Sequence, residues 1–189
     1  MSEAEIRSFA TEKGFHPQTL ERWLNWAEPD RDALLRLASD LKIGENHQRD
    51  MMDWLEEIAV RDQVKIQQIL TGKIITDIES DPRLGRADKL KRIKEQIRRI
   101  RFPRLAQTED AIRARIQELK LHPGISVTVP AGLEGGRLNV AFQSSSHEEL
   151  IKQIAKLAEA SEKKSIMEIF NLLGGQPPRT SGSSTPKDR

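Results

Sequence analysis

The sequence has no cysteine and no tyrosine, and only 4% of its 189 residues are aromatic. Without cysteine the chain can form neither a disulfide nor a thiolate metal site. With so few aromatic rings, its cores must be built mainly from aliphatic side chains. No apolar run approaches membrane-spanning length, and the first ten residues do not resemble a secretory signal. The sequence therefore predicts a cytoplasmic protein with no membrane segment.

What the sequence does contain is charge, and the two signs are unevenly placed. Residues 1–80 hold ten Lys/Arg and sixteen Asp/Glu, whereas residues 81–120 hold thirteen and six. The net charge of the whole chain is only +2. Segregation of this kind is typical of a protein that meets a polyanion through one of its segments.

The positive charge is concentrated in residues 83–105. Apolar residues recur there at helical spacing and form one narrow stripe: Leu90, Ile93, Ile97 and Ile100. Pro103 ends this helix. The candidate phosphate contacts are Arg83, Arg86, Lys89, Lys91, Arg92, Lys94, Arg98, Arg99, Arg101 and Arg104. We expect a nucleic acid as the partner, with DNA favoured over RNA; the alternative is a solvated helix that happens to be rich in arginine.

Two short helices separated by a turn are predicted in residues 2–27. Ala10, Gly14, Leu20 and Trp23 have the spacing of a helix-turn-helix. In such a motif the candidate base-reading side chains are Gln18, Thr19, Arg22 and Asn25. Several nearby glutamates would repel phosphate. An ordinary helical hairpin that packs through its tryptophans is therefore the competing interpretation.

Further helices are predicted up to residue 80, one of them from about His47 to Arg61. One side of that helix is acidic and consists of Asp50, Asp53, Glu56 and Glu57. An acidic helical bundle could alternatively dock a protein partner. His47 with Asp50 and Asp53 is a candidate metal cluster, but a solvated polar face is the favoured interpretation. Residues 74–80 are predicted as a turn or a loop.

The second half of the chain predicts a helix, two strands and a helix. Thr108 caps the first helix, the strands occupy residues 125–129 and 137–142, and the last helix covers 147–160. A two-stranded sheet is marginal alone, so we expect two copies of this αββα domain to form a homodimer. The expected contact residues are Val140, Phe142, Leu150, Ile154 and Leu157.

Together these segments predict a mostly α-helical α+β protein in four parts. The parts are an acidic helical domain in 1–80, a basic connecting helix in 81–105, the αββα dimerisation domain in 106–173 and a disordered tail in 174–189. The tail is assigned because proline, serine and glycine dominate it.

The order of these parts resembles that of ParB-like partition proteins, in which a helical DNA-binding region precedes a small αββα dimerisation domain. The similarity is clearest in GRLNVAFQSSSHEELIKQIAKL and is also visible in LASDLKIGENHQRDMMDWLEEIAVRD. It implies a DNA-binding dimer in DNA partition, nucleoid organisation or transcriptional control, and hence nucleoid association. The Gly-Glu-Arg-Arg segment of the family's nucleotide-binding module is missing, so the resemblance does not imply CTP binding.

No catalytic arrangement can be recognised. The four histidines lie in four different segments, and no serine has the surroundings of a nucleophile. Gly135 and Gly136 belong to the predicted hairpin rather than to a phosphate-binding loop. We therefore expect neither enzymatic activity nor a cofactor. The alternative to DNA binding is a protein-interaction module whose αββα domain serves only to hold two copies together.

Overall fold

Proline and glycine mark many of the helix boundaries in the first unit of the chain, Met1–Phe102. The computed structural model describes residues 3–176. The helices of this unit are α1 (Glu3–Glu12), α2 (Pro17–Leu24), α3 (Glu28–Leu41), α4 (Glu45–Asp62), α5 (Ile66–Leu70), α6 (Lys73–Ser80) and α7 (Arg86–Arg101). Pro17 and Pro29 lie in the first turns of α2 and α3, where a helix needs no N–H donor. Gly14 takes a φ of 68° in the turn before α2.

Helices α3 and α4 each end at a residue in the left-handed backbone conformation, and in neither case is that residue glycine. These residues are Lys42, with a φ of 52°, and Gln63, with a φ of 54°. The N–H of Lys42 donates to the carbonyl of Ala38, and the N–H of Gln63 donates to that of Ala59. The conformation satisfies carbonyl groups that the helix leaves free, but it strains a residue that has a Cβ atom.

A single core holds the helices of the first unit together. Its largest fully buried side chains are Ile6, Trp23, Leu34, Leu37, Ile43, Met51, Met52, Leu55, Ile58, Leu70, Ile75 and Ile93. Trp23 contacts the edge of Phe9, with the ring centroids 6.1 Å apart. Phe15 packs against both rings, with its centroid 5.8 Å from that of Phe9 and 6.4 Å from that of Trp23. Apart from Trp23, the buried members of this core are aliphatic, as the composition predicted.

The basic helix α7 is part of this core, which corrects the prediction of a connecting helix in 81–105. Ile93 and Ile97 are fully buried, and Leu90 and Ile100 pack at the edge of the core. The helix contacts α3, α4 and α6. The apolar stripe is therefore the surface through which α7 packs against the core. The boundary between the two units lies after Phe102.

The stretch predicted as a turn or a loop, residues 74–80, is also helical and belongs to α6. Ile75 is buried in the first core, and Ile78 packs against it. These two residues are one helical turn apart. Their shared contact with the core stabilises a helix that the short local sequence did not predict.

The second unit, Pro103–Arg189, contains the predicted hairpin between helices. Its elements are α8 (Pro103–Glu118), β1 (Ile125–Thr128), a 3₁₀ segment (Ala131–Gly136), β2 (Asn139–Phe142), α9 (His147–Ser161) and α10 (Lys164–Leu173). The strands are antiparallel and pair Ile125 with Phe142. Helix α8 begins five residues before the predicted cap, since Pro103 suits a first turn. The Thr108 hydroxyl donates to the Arg104 carbonyl at 3.0 Å inside the helix.

The core of the second unit is smaller than that of the first. Its buried members are Ile112, Leu119, Leu121, Ile125, Ala160, Ile169 and Leu172. Phe142 and Leu157 pack at its edge, whereas Val140 on β2 is 40% exposed. The predicted inward face of β2 is thus only partly covered. Most of the predicted disordered tail, residues 177–189, lies outside the described residues.

Residues 3–176 are 72% helical with one small antiparallel sheet, so the prediction of a mostly α-helical α+β class is confirmed. Within residues 3–176, no helix is both long and apolar enough to span a bilayer.

Candidate nucleic-acid interface

Some of the cations on α7 form ion pairs with the acidic side of α4. Lys94 Nζ lies 2.9 Å from Asp50 Oδ2 and 5.4 Å from the ring centroid of Trp54. Arg101 Nε and Nη2 lie 2.5 and 2.6 Å from the two carboxylate oxygens of Glu57. Both cations thus hold α7 against α4, and a phosphate group would have to compete with carboxylates for them.

The C-terminal end of α7 is held by an arginine from α4. Arg61 Nη1 donates to the Arg101 carbonyl at 2.6 Å, and Nη2 donates to the Ile100 carbonyl at 2.8 Å. These carbonyls have no partner within α7, and a cation there also interacts favourably with the helix dipole. Arg61 therefore fixes the end of the basic helix, a role that the sequence analysis did not assign.

Three more of the predicted phosphate contacts have partners close to them in the chain. Lys89 Nζ donates to a main-chain carbonyl of α6 at 2.6 Å, and Arg98 pairs with Glu95 at 2.8 Å. Arg83 pairs with Asp81 at 2.9 Å. Hydrogen bonds from the side chain and main chain of Arg83 lower the pKa of Asp81 to about 2. The charges of Arg83 and Arg98 are thus partly neutralised in the folded unit, whereas Lys89 keeps its charge and is held by a carbonyl.

The remaining cations of α7 divide into two groups. Arg86, Lys91 and Arg92 are exposed, and none of them forms an ion pair or a side-chain hydrogen bond within residues 3–176. Arg99 is half-buried and already has an interaction partner. Arg104 is exposed on α8, in the second unit. The cations of α7 that are available to a polyanion are therefore the first three.

Thr19, a candidate base-reading residue, is 8% exposed and faces α4. Its hydroxyl donates to Glu45 Oε1 at 2.7 Å, and the main-chain N–H of His16 donates to the same oxygen at 2.8 Å. These two hydrogen bonds lower the pKa of Glu45, and the one from Thr19 has the larger effect on it. Thr19 is therefore not in a position to read bases, because its hydroxyl joins α2 to the start of α4.

Arg22, a second candidate base reader, is also engaged by α4. Its Nη1 lies 2.6 Å from Asp53 Oδ1, and its Nε and Nη2 lie 3.0 and 2.6 Å from the oxygens of Glu56. Trp26 Nε1 donates to Glu56 Oε1 as well, at 2.7 Å. The hydrogen bond with Glu56 is the main reason that the pKa of Arg22 is raised.

Of the candidate base readers, Gln18 and Asn25 remain exposed on α2. Of the four predicted base readers, these two are accessible and their role stays a prediction, whereas Thr19 and Arg22 are engaged by α4. The sequence pattern could not show this, because it treated the outer side of α2 as free, whereas part of that side packs on α4.

The acidic side of α4, which the sequence offered as a docking surface for a protein, is occupied from within the unit. All four carboxylates have cationic partners on α2 or α7: Asp50, Asp53, Glu56 and Glu57. At the candidate metal cluster, Lys94 Nζ lies 3.1 Å from His47 Nδ1. An ammonium group thus takes the place between His47 and Asp50. Within residues 3–176, no three His, Asp or Glu side chains are grouped as metal ligands.

The residues predicted at the dimer contact are placed on two different sides of α9 and β2. Val140 and Ile154 are exposed, whereas Leu150, Leu157 and Phe142 are half-buried. Ile151 is not in the predicted contact set, although it is 51% exposed and lies one turn before Ile154. Its spacing from Ile154 was the available signal, but Leu150 and Leu157 form a second stripe at equally good helical spacing.

The candidate site described above rests on the geometry of this chain alone. No family model matches the sequence, and neither a curated protein nor a solved structure matches it.

Proposed function

We propose that this protein binds DNA without catalysing a reaction, and that its phosphate contacts are the exposed cations of α7. The observation that carries the proposal is the exposure of Arg86, Lys91 and Arg92 on a helix that is anchored in a core. Because α7 is already ordered, binding phosphate immobilises only side chains. Release of counterions from the DNA supplies the main driving force.

Lys91 and Arg92 lie on the side of α7 opposite its apolar stripe, whereas Arg86 lies at the angular position of the stripe, one turn before Leu90. Arg86 and Arg92 are separated by about 9 Å along the helix axis, at about 1.5 Å per residue. A duplex carries about five phosphate charges over that length. Three free cations make only a weak site in one copy of the chain. Two linked copies would bind much more tightly, because the second contact becomes intramolecular.

We therefore propose a homodimer as the form that acts on DNA. The exposed apolar side chains of the second unit, such as Val140 and Ile154, support this assembly. A dimeric DNA-binding protein would serve in DNA partition, nucleoid organisation or transcriptional control, as the resemblance to ParB-like proteins implies. With Thr19 and Arg22 engaged by α4, binding through the phosphate backbone is favoured over reading of bases.

Docking of a protein on the acidic helices has less support. A cationic partner would have to displace the intrachain partners of α4, among them Arg22 and Lys94. RNA shares the phosphate chemistry of DNA, so a duplex RNA of the same sequence belongs in the test.

The proposal is tested by fluorescence anisotropy with a labelled DNA duplex over a series of salt concentrations, with the size of the complex recorded. The test variant carries Arg86→Gln, Lys91→Gln and Arg92→Gln. We expect it to bind more weakly, and its log–log salt slope should become shallower by about three. The matched control carries Lys42→Gln, Arg49→Gln and Arg137→Gln, which change the net charge equally at exposed positions outside α7.

Two results would contradict the proposal. An equal loss of affinity in both variants would show that net charge, and not α7, determines binding. Salt-independent binding, or no binding by the unmodified chain at low salt, would remove the DNA interpretation altogether.

A further inference from the structure

Helix α9 is attached to its own unit along one side only. The residues that it buries are Gln153 and Ala160. Gln153 Nε2 donates to the Gln143 carbonyl at 3.0 Å, and Lys156 Nζ donates to the Leu121 carbonyl at 3.4 Å. This 15-residue helix is therefore held at its inner side by these polar contacts and by Leu157 and Ala160, and most of its surface faces solvent.

The solvent-facing side of α9 carries an apolar stripe, Ile151, Ile154, Ala155 and Ala158. Ile151 is 51% exposed and Ile154 is 49% exposed, and both alanines are exposed as well. The four positions follow the spacing i, i+3, i+4 and i+7, which places them on one face of a helix. An amphipathic helix normally buries such a face, so this stripe is a contact surface.

The order of residues within the stripe makes it complementary to itself. Two isoleucines come first and two alanines follow. If a second copy of α9 is laid antiparallel about a two-fold axis between Ile154 and Ala155, Ile151 faces Ala158 and Ile154 faces Ala155. Each large side chain then meets a small one, as close helix packing requires.

A pair of opposite charges beside the stripe agrees with the same arrangement. Lys152 and Glu159 are exposed next to the stripe, and an antiparallel pair brings Lys152 of one copy close to the level of Glu159 in the other. The two-fold axis repeats this pairing. Opposite charges in such a rim contribute more to orientation than to affinity.

We propose that α9 pairs with the α9 of a second copy of this chain, antiparallel, through Ile151, Ile154, Ala155 and Ala158. This inference rests on the dimer in the proposed function and names its contact surface. The interface of one helix pair is small, so a dimer with a dissociation constant in the micromolar range is expected. The contact differs from the predicted one, because Leu150 and Leu157 lie towards the helix's own unit.

The assembly is tested without DNA, so its failure is distinguishable from failure of DNA binding. Sedimentation of the full chain at tens of micromolar should show a dimer. Ile154→Asp should weaken it about 100-fold, because two half-exposed isoleucines lose their partners and two charges enter the interface. The control is Met167→Asp on α10, an apolar residue that is 66% exposed. It should leave the dimer intact, and far-UV circular dichroism checks that both variants fold.

The direction of pairing is tested by single cysteines, since the natural chain has none. In the antiparallel pair the two copies of position 155 are offset by about 1.5 Å along the helix axis, and those of position 158 by about 10 Å. A disulfide needs Cα atoms closer than about 7 Å. Ala155→Cys should therefore oxidise to a covalent dimer, and Ala158→Cys should not.

Three outcomes would overturn the proposal. The first is a stable monomer at tens of micromolar. The second is a dimer that Met167→Asp dissociates and Ile154→Asp does not, which would place the contact on α10. The third is equal crosslinking at positions 155 and 158, which is the signature of parallel helices. The cysteine test remains decisive even if Ile154→Asp fails to fold.

Discussion

Arg101 forms a two-pronged ion pair with Glu57, its Nε and Nη2 atoms lying 2.5 and 2.6 Å from the two carboxylate oxygens. The two residues are 44 positions apart in the chain, Arg101 at the C-terminal end of α7 and Glu57 in the second half of α4. Arg101 was predicted to contact phosphate, but in the fold its guanidinium takes part in the packing of α7 on α4.

A charge-swap experiment measures this ion pair. Arg101→Glu should lower the free energy of unfolding by about 1 kcal/mol or more, because it replaces attraction with repulsion at a half-buried site. The double variant Glu57→Arg, Arg101→Glu should recover most of that loss. Urea unfolding of the unmodified chain, the two single variants and the double variant gives the coupling free energy between the two side chains. Additive effects of the two substitutions would show that the pair contributes nothing.

Removal of a buried side chain tests whether α7 is part of the first core. Ile97→Ala should lower the free energy of unfolding by about 2–5 kcal/mol, the usual cost of such a cavity. The control is Ile74→Ala, since Ile74 is 56% exposed and its truncation should cost about 0.5 kcal/mol or less. If both substitutions lowered the free energy of unfolding by the same small amount, α7 would not be part of the core and would only connect the two units.

The position of Arg22 predicts a stability effect that a DNA-reading residue would not show. Arg22→Lys keeps the charge but cannot reach Asp53 and both oxygens of Glu56 at once. We expect a loss of about 1 kcal/mol on urea unfolding, because the group is partly exposed and its ion pairs are screened. Gln18→Ala, on the exposed side of the same helix, should be nearly neutral. A neutral Arg22→Lys would contradict the structural role.

Glu45 predicts a pH dependence with a definite sign. Hydrogen bonds from Thr19 and from the His16 N–H lower its pKa in the folded state below that of an ordinary glutamate. The stabilisation is therefore complete above the unfolded-state pKa, about 4.3, and is lost as the pH falls through the folded-state value. The difference in urea midpoint between the unmodified chain and Glu45→Gln should be largest at neutral pH and should close in acid.

A second variant isolates the source of that pH dependence. Thr19→Val removes the hydrogen bond that contributes most to the lowered pKa of Glu45. In the Thr19→Val background, the further substitution Glu45→Gln should change the urea midpoint less at neutral pH than it does in the unmodified chain, and the two differences should converge in acid. A difference in midpoint that stays constant from neutral to acidic pH would show that the carboxylate is not coupled to folding.

The helices were predictable where their signals are local. Ile93 and Ile97 recur at the period of a helix, and the structure buries the face that this period defines. Which elements cover that face could not be predicted, because it depends on contacts between segments that are distant in the chain. The expectation of a connecting helix was therefore wrong, although the helix and its buried side were right.

The candidate site was less predictable than the fold, for two physical reasons. Ten cations could be counted from the sequence, but Lys94 and Arg101 have partners more than forty residues away, so their engagement is invisible locally. On α9 the sequence contains two overlapping apolar stripes. Leu157 packs at its own core, on the side of α9 where Gln153 is buried, and Ile151 does not.

The left-handed ends of α3 and α4 have a practical consequence for engineering. Lys42 and Gln63 take φ values of 52° and 54°, a region that glycine enters without strain. Each of them stores backbone strain of about 1 kcal/mol. Lys42→Gly and Gln63→Gly would release part of it without altering the core or the exposed cations of α7. Such a stabilised background would keep the first unit folded while charge-reversing substitutions are introduced on its surface.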